Sequence, residues 1–224
     1  MRIVTFNTCH GRAQDGSVDT AALARYCASL DADVLALQEV DVRARRSGGV
    51  DQVAAVAAAT GLTSYFGPAR RLGLRGRFGN ALLVRGVIEE AQTVALPRAG
   101  LHEDRSFILA EVIVGDLVMA VAATHLSADE KEAGIQFEAL LVGARHLNRP
   151  RVVLGDLNLR AERLAPALAT RAYALADPLL PTFPATLPRL RIDHVLCDGL
   201  AIRSAAVPDA APVSDHRALV VEVG

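Results

Sequence analysis

Asp156 and Asn158 stand two positions apart at the end of the apolar stretch RVVLGDLNLR, residues 151–160. In an extended backbone, side chains two positions apart project from the same face, so the carboxylate and the amide can act on one ligand. A carboxylate can orient a water, and an amide can donate a hydrogen bond to a phosphate oxygen. The pair therefore suggests a hydrolytic site, although in isolation such an aspartate more often caps a helix.

A second group of polar residues could hold a metal ion. Glu39 follows the apolar run VLALQ, and an acid buried there must be paired or must coordinate a cation. Mg²⁺ prefers oxygen ligands and needs only one or two carboxylates with an amide, which makes Asn7 and Asp215 candidates to complete the shell. The sequence indicates no Cys/His cluster of the kind that zinc selects.

Two histidines are candidates for proton transfer or phosphate binding. His216 could act as a base if a buried carboxylate fixed its tautomer, and Asp193 in LRIDHVL is the best candidate for that carboxylate. His125 ends the run AVAATH, but a single histidine at a strand end is more often structural. The neighbouring pair Asp215–His216 is also a frequent chance occurrence.

The elements that position these residues follow from short apolar runs that alternate with helical segments, which predicts an α/β sandwich. The runs SFILAEVIV and LVMAVAATH, separated by Gly115 and Asp116, predict a β-hairpin and therefore mixed sheets. The predicted strands are Arg2–Asn7, Asp33–Gln38, Asn80–Arg85, Ser106–Val114, Leu117–Thr124, Arg151–Leu154, Ile192–Leu196 and Arg217–Val223. The predicted helices are Asp19–Leu30, Val50–Thr60, Glu130–Leu147 and Ala161–Thr170.

Length and composition set the broad class. With 224 residues, 51% of them hydrophobic, the chain can fill one core, so we expect a single domain over residues 1–224 and a monomer. A net charge of -1, 4% aromatic residues and the lack of tryptophan do not favour nucleic acid as a partner, although a local basic rim would allow it.

The positive charge is almost entirely arginine, since Lys131 is the only lysine, and this bias is typical of a high-GC bacterial genome. Any single arginine is therefore weaker evidence for a phosphate-binding site than it would be in a chain without this bias. Two segments rich in arginine and glycine, Arg43–Gly49 and Arg70–Gly79, are predicted to be solvated, mobile loops. They are either ordinary exposed loops or the rim of a site for an anionic substrate.

The cysteines and the first residues bear on location. Cys9, Cys27 and Cys197 are odd in number and widely spaced, which indicates a reduced, intracellular setting. The opening residues MRIVTFN show neither a charged leader nor a long apolar run. We therefore expect no signal peptide, no transmembrane segment and a cytoplasmic location.

Seven motifs occur in one order between Thr5 and Leu219: TFN, LQEV, GNALLV, THL, GDLN, RIDHV and SDHRAL. The series resembles the endonuclease/exonuclease/phosphatase superfamily of metal-dependent phosphoesterases, in particular its compact bacterial branch. The resemblance implies a four-layer α/β sandwich, with two mixed β-sheets packed face to face, helices outside and a metal site at one edge.

The resemblance also implies a role for each candidate residue. The implied metal-site residues are Glu39 as the principal ligand, Asn7 and Asp215. The implied catalytic residues are Asp156 and Asn158 for water and phosphate, Asp193 and His216 as an orienting acid with its histidine, and His125 at the scissile phosphate. The residues expected only to line the site are Asn80 and Arg105.

Together these features predict a Mg²⁺-dependent hydrolase of phosphoester bonds, with Mn²⁺ and Ca²⁺ as alternative metals. The motifs look most like those near the sphingomyelinase-like branch, which favours a small-molecule or lipid-linked phosphodiester as substrate. A DNA or RNA nuclease of the same fold is the alternative. An inactive binding module is disfavoured, because chemically competent residues fill every motif position.

Overall fold

The computed structural model describes residues 1–13, 15–209 and 213–224. The helices are α1 (Thr20–Ser29), α2 (Gln52–Thr60), α3 (Glu130–Ala144) and α4 (Ala161–Ala169). The strands are β1 (Arg2–Asn7), β2 (Val34–Val42), β3 (Thr63–Leu72), β4 (Gly76–Val84), β5 (Val87–Ala95), β6 (Ser106–Val114), β7 (Leu117–His125), β8 (Arg151–Asp156), β9 (Ala174–Leu175), β10 (Asp193–Asp198), β11 (Ile202–Ala206) and β12 (Leu219–Val223).

The strands form two mixed six-stranded sheets, with the orders β11-β12-β1-β2-β4-β3 and β5-β6-β7-β8-β10-β9. Apolar side chains of both sheets, including Leu82 and Ile108, fill the space between them. A second core cluster lies where α1 covers the first sheet, and a third where α3 and α4 cover the second. The predicted four-layer α/β sandwich is confirmed. Within the described residues, no helix is long and apolar enough to cross a membrane.

Aspartates fix the start of three helices. The side chains of Asp19, Asp51 and Asp129 accept hydrogen bonds from backbone N–H groups in the first turns of α1, α2 and α3. Such caps satisfy donors that the helix itself leaves free. They explain why α1 and α2 begin one or two residues later than the sequence predicted.

A central pair of parallel strands in each sheet positions the polar strand ends. In the first sheet β1 runs parallel to β2, so Asn7 lies beside Gln38 and next to Glu39. In the second sheet β7 runs parallel to β8, and β10 is antiparallel to β8. This register places His125, Asp156 and Asp193 side by side on three neighbouring strands.

The sequence analysis missed β3, β5, β9 and β11, and these are the four edge strands of the two sheets. Edge strands have one unpaired side and more exposed faces, so they lack the continuous apolar run of a central strand. For the same reason the prediction of a loop at Arg70–Gly79 was wrong. That segment contains the end of β3, a tight turn and the start of β4.

Gly155 in β8 has no room for a side chain. Its φ is +149°, and a Cβ atom would lie 1.9 Å from the carbonyl oxygen of Thr124 on β7. We expect Gly155→Ala to lower the free energy of unfolding by at least ~2 kcal/mol, because the backbone must move. Gly134→Ala on α3, where nothing lies within 4 Å, should be neutral or stabilising by up to ~1 kcal/mol. Urea unfolding measures both variants, and equal midpoints would contradict this expectation.

Candidate active site

Asn7 and Glu39 form the part of the site that comes from the first sheet. The pairing of β2 with β4 is irregular between Leu37 and Val40, and Glu39 has a φ of +57°, a left-handed conformation that is costly for a residue with a side chain. This bulge takes Glu39 out of the regular alternation of the strand. The amide Nδ2 of Asn7 donates to Oε1 of Glu39 at 3.3 Å.

The donor set around Glu39 fits a hard divalent cation. Burial raises the pKa of Glu39 above its usual value, and the negative charge of the exposed Asp215 adds to this effect. Two carboxylates that destabilise each other in this way are stabilised by a cation placed between them. Oδ1 of Asn7 accepts the backbone N–H of Cys9 at 3.0 Å and retains a second lone pair. These are the oxygen donors that Mg²⁺ prefers.

Asp156 lies at the centre of the part that comes from the second sheet. Its Oδ2 accepts a hydrogen bond from Nδ2 of Asn7 at 2.9 Å, which joins the two halves of the site. The same oxygen lies 3.5 Å from Nε2 of His125 and 3.6 Å from Nε2 of His216. Burial raises the pKa of Asp156 to about 7, and the neighbouring carboxylate of Asp193 contributes. A carboxylate with such a pKa can accept a proton near neutral pH.

His216 is held between Asp193 and a serine. Its Nδ1 donates to Oδ2 of Asp193 at 2.9 Å, and its backbone N–H donates to Oγ of Ser214 at 3.0 Å. Burial disfavours the charged ring, but the carboxylates of Asp193 and Asp156 outweigh this effect and raise the pKa of His216 to about 10. His216 therefore presents an N–H toward Asp156 at neutral pH. The hypothesis that His216 acts as a base stays a prediction, and these charges favour a donor role.

Arg105 fixes the state of His125. Nη1 of Arg105 lies 2.9 Å from Nδ1 of His125, and a guanidinium can only donate, so the ring proton must be on Nε2. Burial and the charge of Arg105 lower the pKa of His125 well below its usual value, which keeps the ring neutral. His125 is thus a second N–H donor that faces Asp156. Arg105, which we expected only to line the site, determines this orientation.

Asn158 contacts the catalytic candidate Asp156, whereas Asn80 contacts the backbone of β6. Asn158, with a φ of +50°, donates through its backbone N–H to Oδ1 of Asp156 at 3.0 Å, and its Nδ2 donates to the carbonyl of Leu126 at 3.1 Å, beside His125. Asn80 is only 2% exposed, and its Nδ2 donates to the carbonyl of Ser106 at 2.9 Å. Asn80 therefore ties β4 to β6 through this bond.

Three residues in contact with the predicted ones were not selected as site residues from the sequence. Oγ of Ser214 donates to the carbonyl of Asn7 at 2.6 Å and so connects the His216 segment to β1. The ring of Phe183 packs on His216, with 4.7 Å between the centroids. Cys9 lies near Asp215, and burial together with this carboxylate raises the pKa of the Cys9 thiol. Only Ser214 gave a usable signal in the sequence, its position two residues before His216.

Solved structures of other proteins resemble this fold over the whole length of the chain. An endonuclease/exonuclease/phosphatase from Beutenbergia cavernae DSM 12333 is 23% identical, with a TM-score of 0.84, and the match covers 100% of this chain and 71% of that one. The mannosyl-6-phosphatase Bt3783 of Bacteroides thetaiotaomicron VPI-5482 is 15% identical, with a TM-score of 0.78 and coverages of 100% and 99%. A humanized D. rerio TDP2 is 17% identical, with a TM-score of 0.76 and coverages of 100% and 98%.

At such identities these likenesses establish the fold alone. No sequence among the curated proteins matches this chain. The family model described as the endonuclease/exonuclease/phosphatase family matches residues 4–216, nearly the entire length. The chain belongs to the endonuclease/exonuclease/phosphatase family.

Proposed function

We propose that this protein is a Mg²⁺-dependent phosphodiesterase that hydrolyses a small-molecule or lipid-linked phosphodiester. Members of its family are phosphoester hydrolases and generally depend on a divalent metal. One observation carries the proposal: the hydrogen bond from Asn7 to Asp156 joins the candidate metal ligands of one sheet to the acid and imidazole groups of the other. A phosphoester bound at this edge would contact both groups at once.

The chain's own residues supply the groups that hydrolysis requires. Asp156 can accept a hydrogen bond from the attacking water and take up its proton. The N–H groups of His125 and His216 both lie beside Asp156. A phosphoester whose attacking water is held by Asp156 would therefore be within reach of both N–H groups, which can donate to its phosphoryl oxygens as these gain negative charge. Asp193 holds His216 in this orientation, as a buried carboxylate does for a catalytic histidine.

The metal would be held by Glu39 with Asn7 and Asp215. When bound there, Mg²⁺ acts as a Lewis acid that polarises the phosphoester and stabilises negative charge on oxygen. We favour Mg²⁺ because these three side chains offer oxygen ligands, with Mn²⁺ as the alternative that shares this preference.

A nuclease is the second candidate, and an arginine surface at the β3–β4 hairpin favours it. Arg43, Arg71, Arg75 and Arg77 surround a cavity of about 430 Å³, and none of them forms an ion pair with a described acid. Arg77 pairs with Val42, three residues beyond Glu39 on β2, roughly 10 Å along the strand. Unpaired arginines at this distance from the site could bind further phosphates of a nucleic acid.

A substrate panel tests the proposal. It contains bis-p-nitrophenyl phosphate, sphingomyelin, inositol phosphates and plasmid DNA, each with Mg²⁺, Mn²⁺ or EDTA. We expect turnover of a small or lipid-linked diester with Mg²⁺ that EDTA abolishes and excess Mg²⁺ restores. DNA cleavage that falls steeply with salt would favour the nuclease instead. The absence of metal-dependent turnover on every substrate would contradict both and would favour an inactive binding module.

A further inference from the structure

Cys9, His10 and Glu39 form a cluster of metal-ligating side chains that the sequence did not indicate. Cys9 and His10 follow β1, and Glu39 belongs to the bulge of β2, so the pairing of these two strands brings them together. One ligand atom from each residue lies within 4.8 Å of the others. All three residues are partly exposed, so an ion in solution can reach them.

The backbone holds Cys9 and His10 in an unusual conformation. Their φ values are +44° and +46°, in the left-handed region that is costly for residues with side chains. Two hydrogen bonds maintain the turn, from the Cys9 N–H to Oδ1 of Asn7 at 3.0 Å and from Nε2 of Gln52 to the His10 carbonyl at 2.7 Å. Nδ1 of His10 is buried and has no hydrogen-bond partner among the described residues, so it is available to a ligand.

We propose that Cys9, His10 and Glu39 bind a thiophilic divalent cation of the Zn²⁺ type, and that this cation competes with Mg²⁺ for Glu39. Sulfur, imidazole and carboxylate are the donors that zinc combines, usually in tetrahedral geometry. A thiolate does not suit Mg²⁺, so the two cations differ in their preference for this cluster. The carboxylate of Asp215 is close enough to raise the pKa of the Cys9 thiol beyond the effect of burial, so it is the candidate for a fourth donor.

The cluster is close to the dimensions that zinc needs. Zinc–sulfur and zinc–nitrogen distances of about 2.3 and 2.0 Å place tetrahedral donors roughly 3.3–3.8 Å apart. The ligand atoms here lie within 4.8 Å of one another, so side-chain rotations that shorten the distances by about 1 Å complete the shell.

Binding forms a metal–sulfur bond and releases the Cys9 thiol proton to solvent, with no change of oxidation state. Burial, together with the carboxylates of Asp215 and Glu39, raises the pKa of Cys9 to about 12, so the free protein holds a neutral thiol that the cation must deprotonate. The same carboxylates attract a divalent cation. The positive charge of Arg12 acts in the opposite direction and lowers the pKa of Cys9.

The competition rests on the proposed function, because it requires Glu39 to hold the catalytic Mg²⁺. A cation bound through Cys9 and His10 would engage the same Glu39 carboxylate that the proposed function assigns to Mg²⁺. The enzyme would then be inhibited by Zn²⁺ at concentrations that occupy this cluster, while Mg²⁺ alone would leave Cys9 and His10 free.

Co²⁺ provides a probe of the cluster that is independent of turnover. We expect addition of Co²⁺ to the metal-free protein to produce a thiolate-to-metal absorption band in the near ultraviolet, which Zn²⁺ then removes. Cys9→Ser should abolish the band, and His10→Ala should weaken Co²⁺ binding at least ~10-fold. Cys27→Ser, at a cysteine buried in the core under α1, is the matched control and should keep it. Thermal unfolding shows that each variant is folded.

The possible results distinguish a failure of the proposed cation site from a failure of the proposed phosphodiesterase function. A missing band in the unmodified chain, or a band that survives Cys9→Ser, overturns the site. If diester turnover with Mg²⁺ is present, half-inhibition of Cys9→Ser should need at least ~10-fold more Zn²⁺, each variant being compared with its own rate without zinc. Equal inhibition overturns the competition. A band without turnover on any substrate supports the cation site and contradicts the proposed function instead.

Discussion

His216→Ala is expected to lower kcat for diester hydrolysis by at least ~10², the scale observed when a preorganised catalytic donor is removed. The ring presents Nε2 toward Asp156, and the Nδ1 contact with Asp193 fixes its orientation. Alanine removes the donor and leaves Asp193 buried without this partner. Asp156→Ala should cost at least as much, about 10² or more, because Asp156 is the acceptor on which both histidines and Asn7 converge.

The measurement is the Mg²⁺-dependent rate with bis-p-nitrophenyl phosphate, read together with a thermal unfolding curve. The curve separates loss of chemistry from loss of fold, since His216 also packs on Phe183. His146→Ala is the matched control, because His146 is exposed beyond the end of α3 and should leave rate and stability unchanged. A His216→Ala enzyme with a near-normal kcat would show that the imidazole has no part in the reaction.

The central strands were predictable from the sequence because burial on both faces makes their apolar runs continuous. Arg151–Leu154 became β8, and its polar end at Asp156 pointed to the site before any pairing was known. The hairpin of β6 and β7 followed equally directly from two long runs around Gly115 and Asp116. The four edge strands were missed because their exposed positions interrupt such runs.

The contacts within the site depend on packing that no local pattern records. The sequence could group Asn7 with Glu39 and Asp156 only by resemblance, whereas the hydrogen bond between Asn7 and Asp156 depends on how two sheets meet. The effect of Arg105 on His125 likewise depends on the position of a residue just before β6 beside the end of β7. Adjacent Cys9 and His10 did not suggest a ligand pair, because their left-handed conformations are visible only in the folded chain.

Glu39→Gln is expected to separate metal binding from folding. Burial raises the pKa of Glu39, so above that pKa the ionised carboxylate opposes folding when no metal is present. The metal-free variant should therefore be as stable as the unmodified protein or more stable. Loss of this ligand should also raise the Mg²⁺ concentration for half-maximal activity by ~10–100-fold, as weakened metal coordination does elsewhere.

Relative to the unmodified protein, Glu39→Gln should be as stable or more stable without metal and less stable when Mg²⁺ is present. Mg²⁺ at 100 times its dissociation constant stabilises a folded protein by ~2.7 kcal/mol, so added Mg²⁺ should stabilise the unmodified chain by this amount. The same Mg²⁺ concentration should stabilise Glu39→Gln by only ~0.4–1.4 kcal/mol, because its dissociation constant is ~10–100-fold higher. Glu89→Gln, on the exposed face of edge strand β5, controls for the loss of one negative charge and should respond to Mg²⁺ like the unmodified chain. If Mg²⁺ stabilised Glu39→Gln as strongly as the unmodified protein, the metal would be bound elsewhere, and the site built around Asn7 and Asp156 would have to work without it.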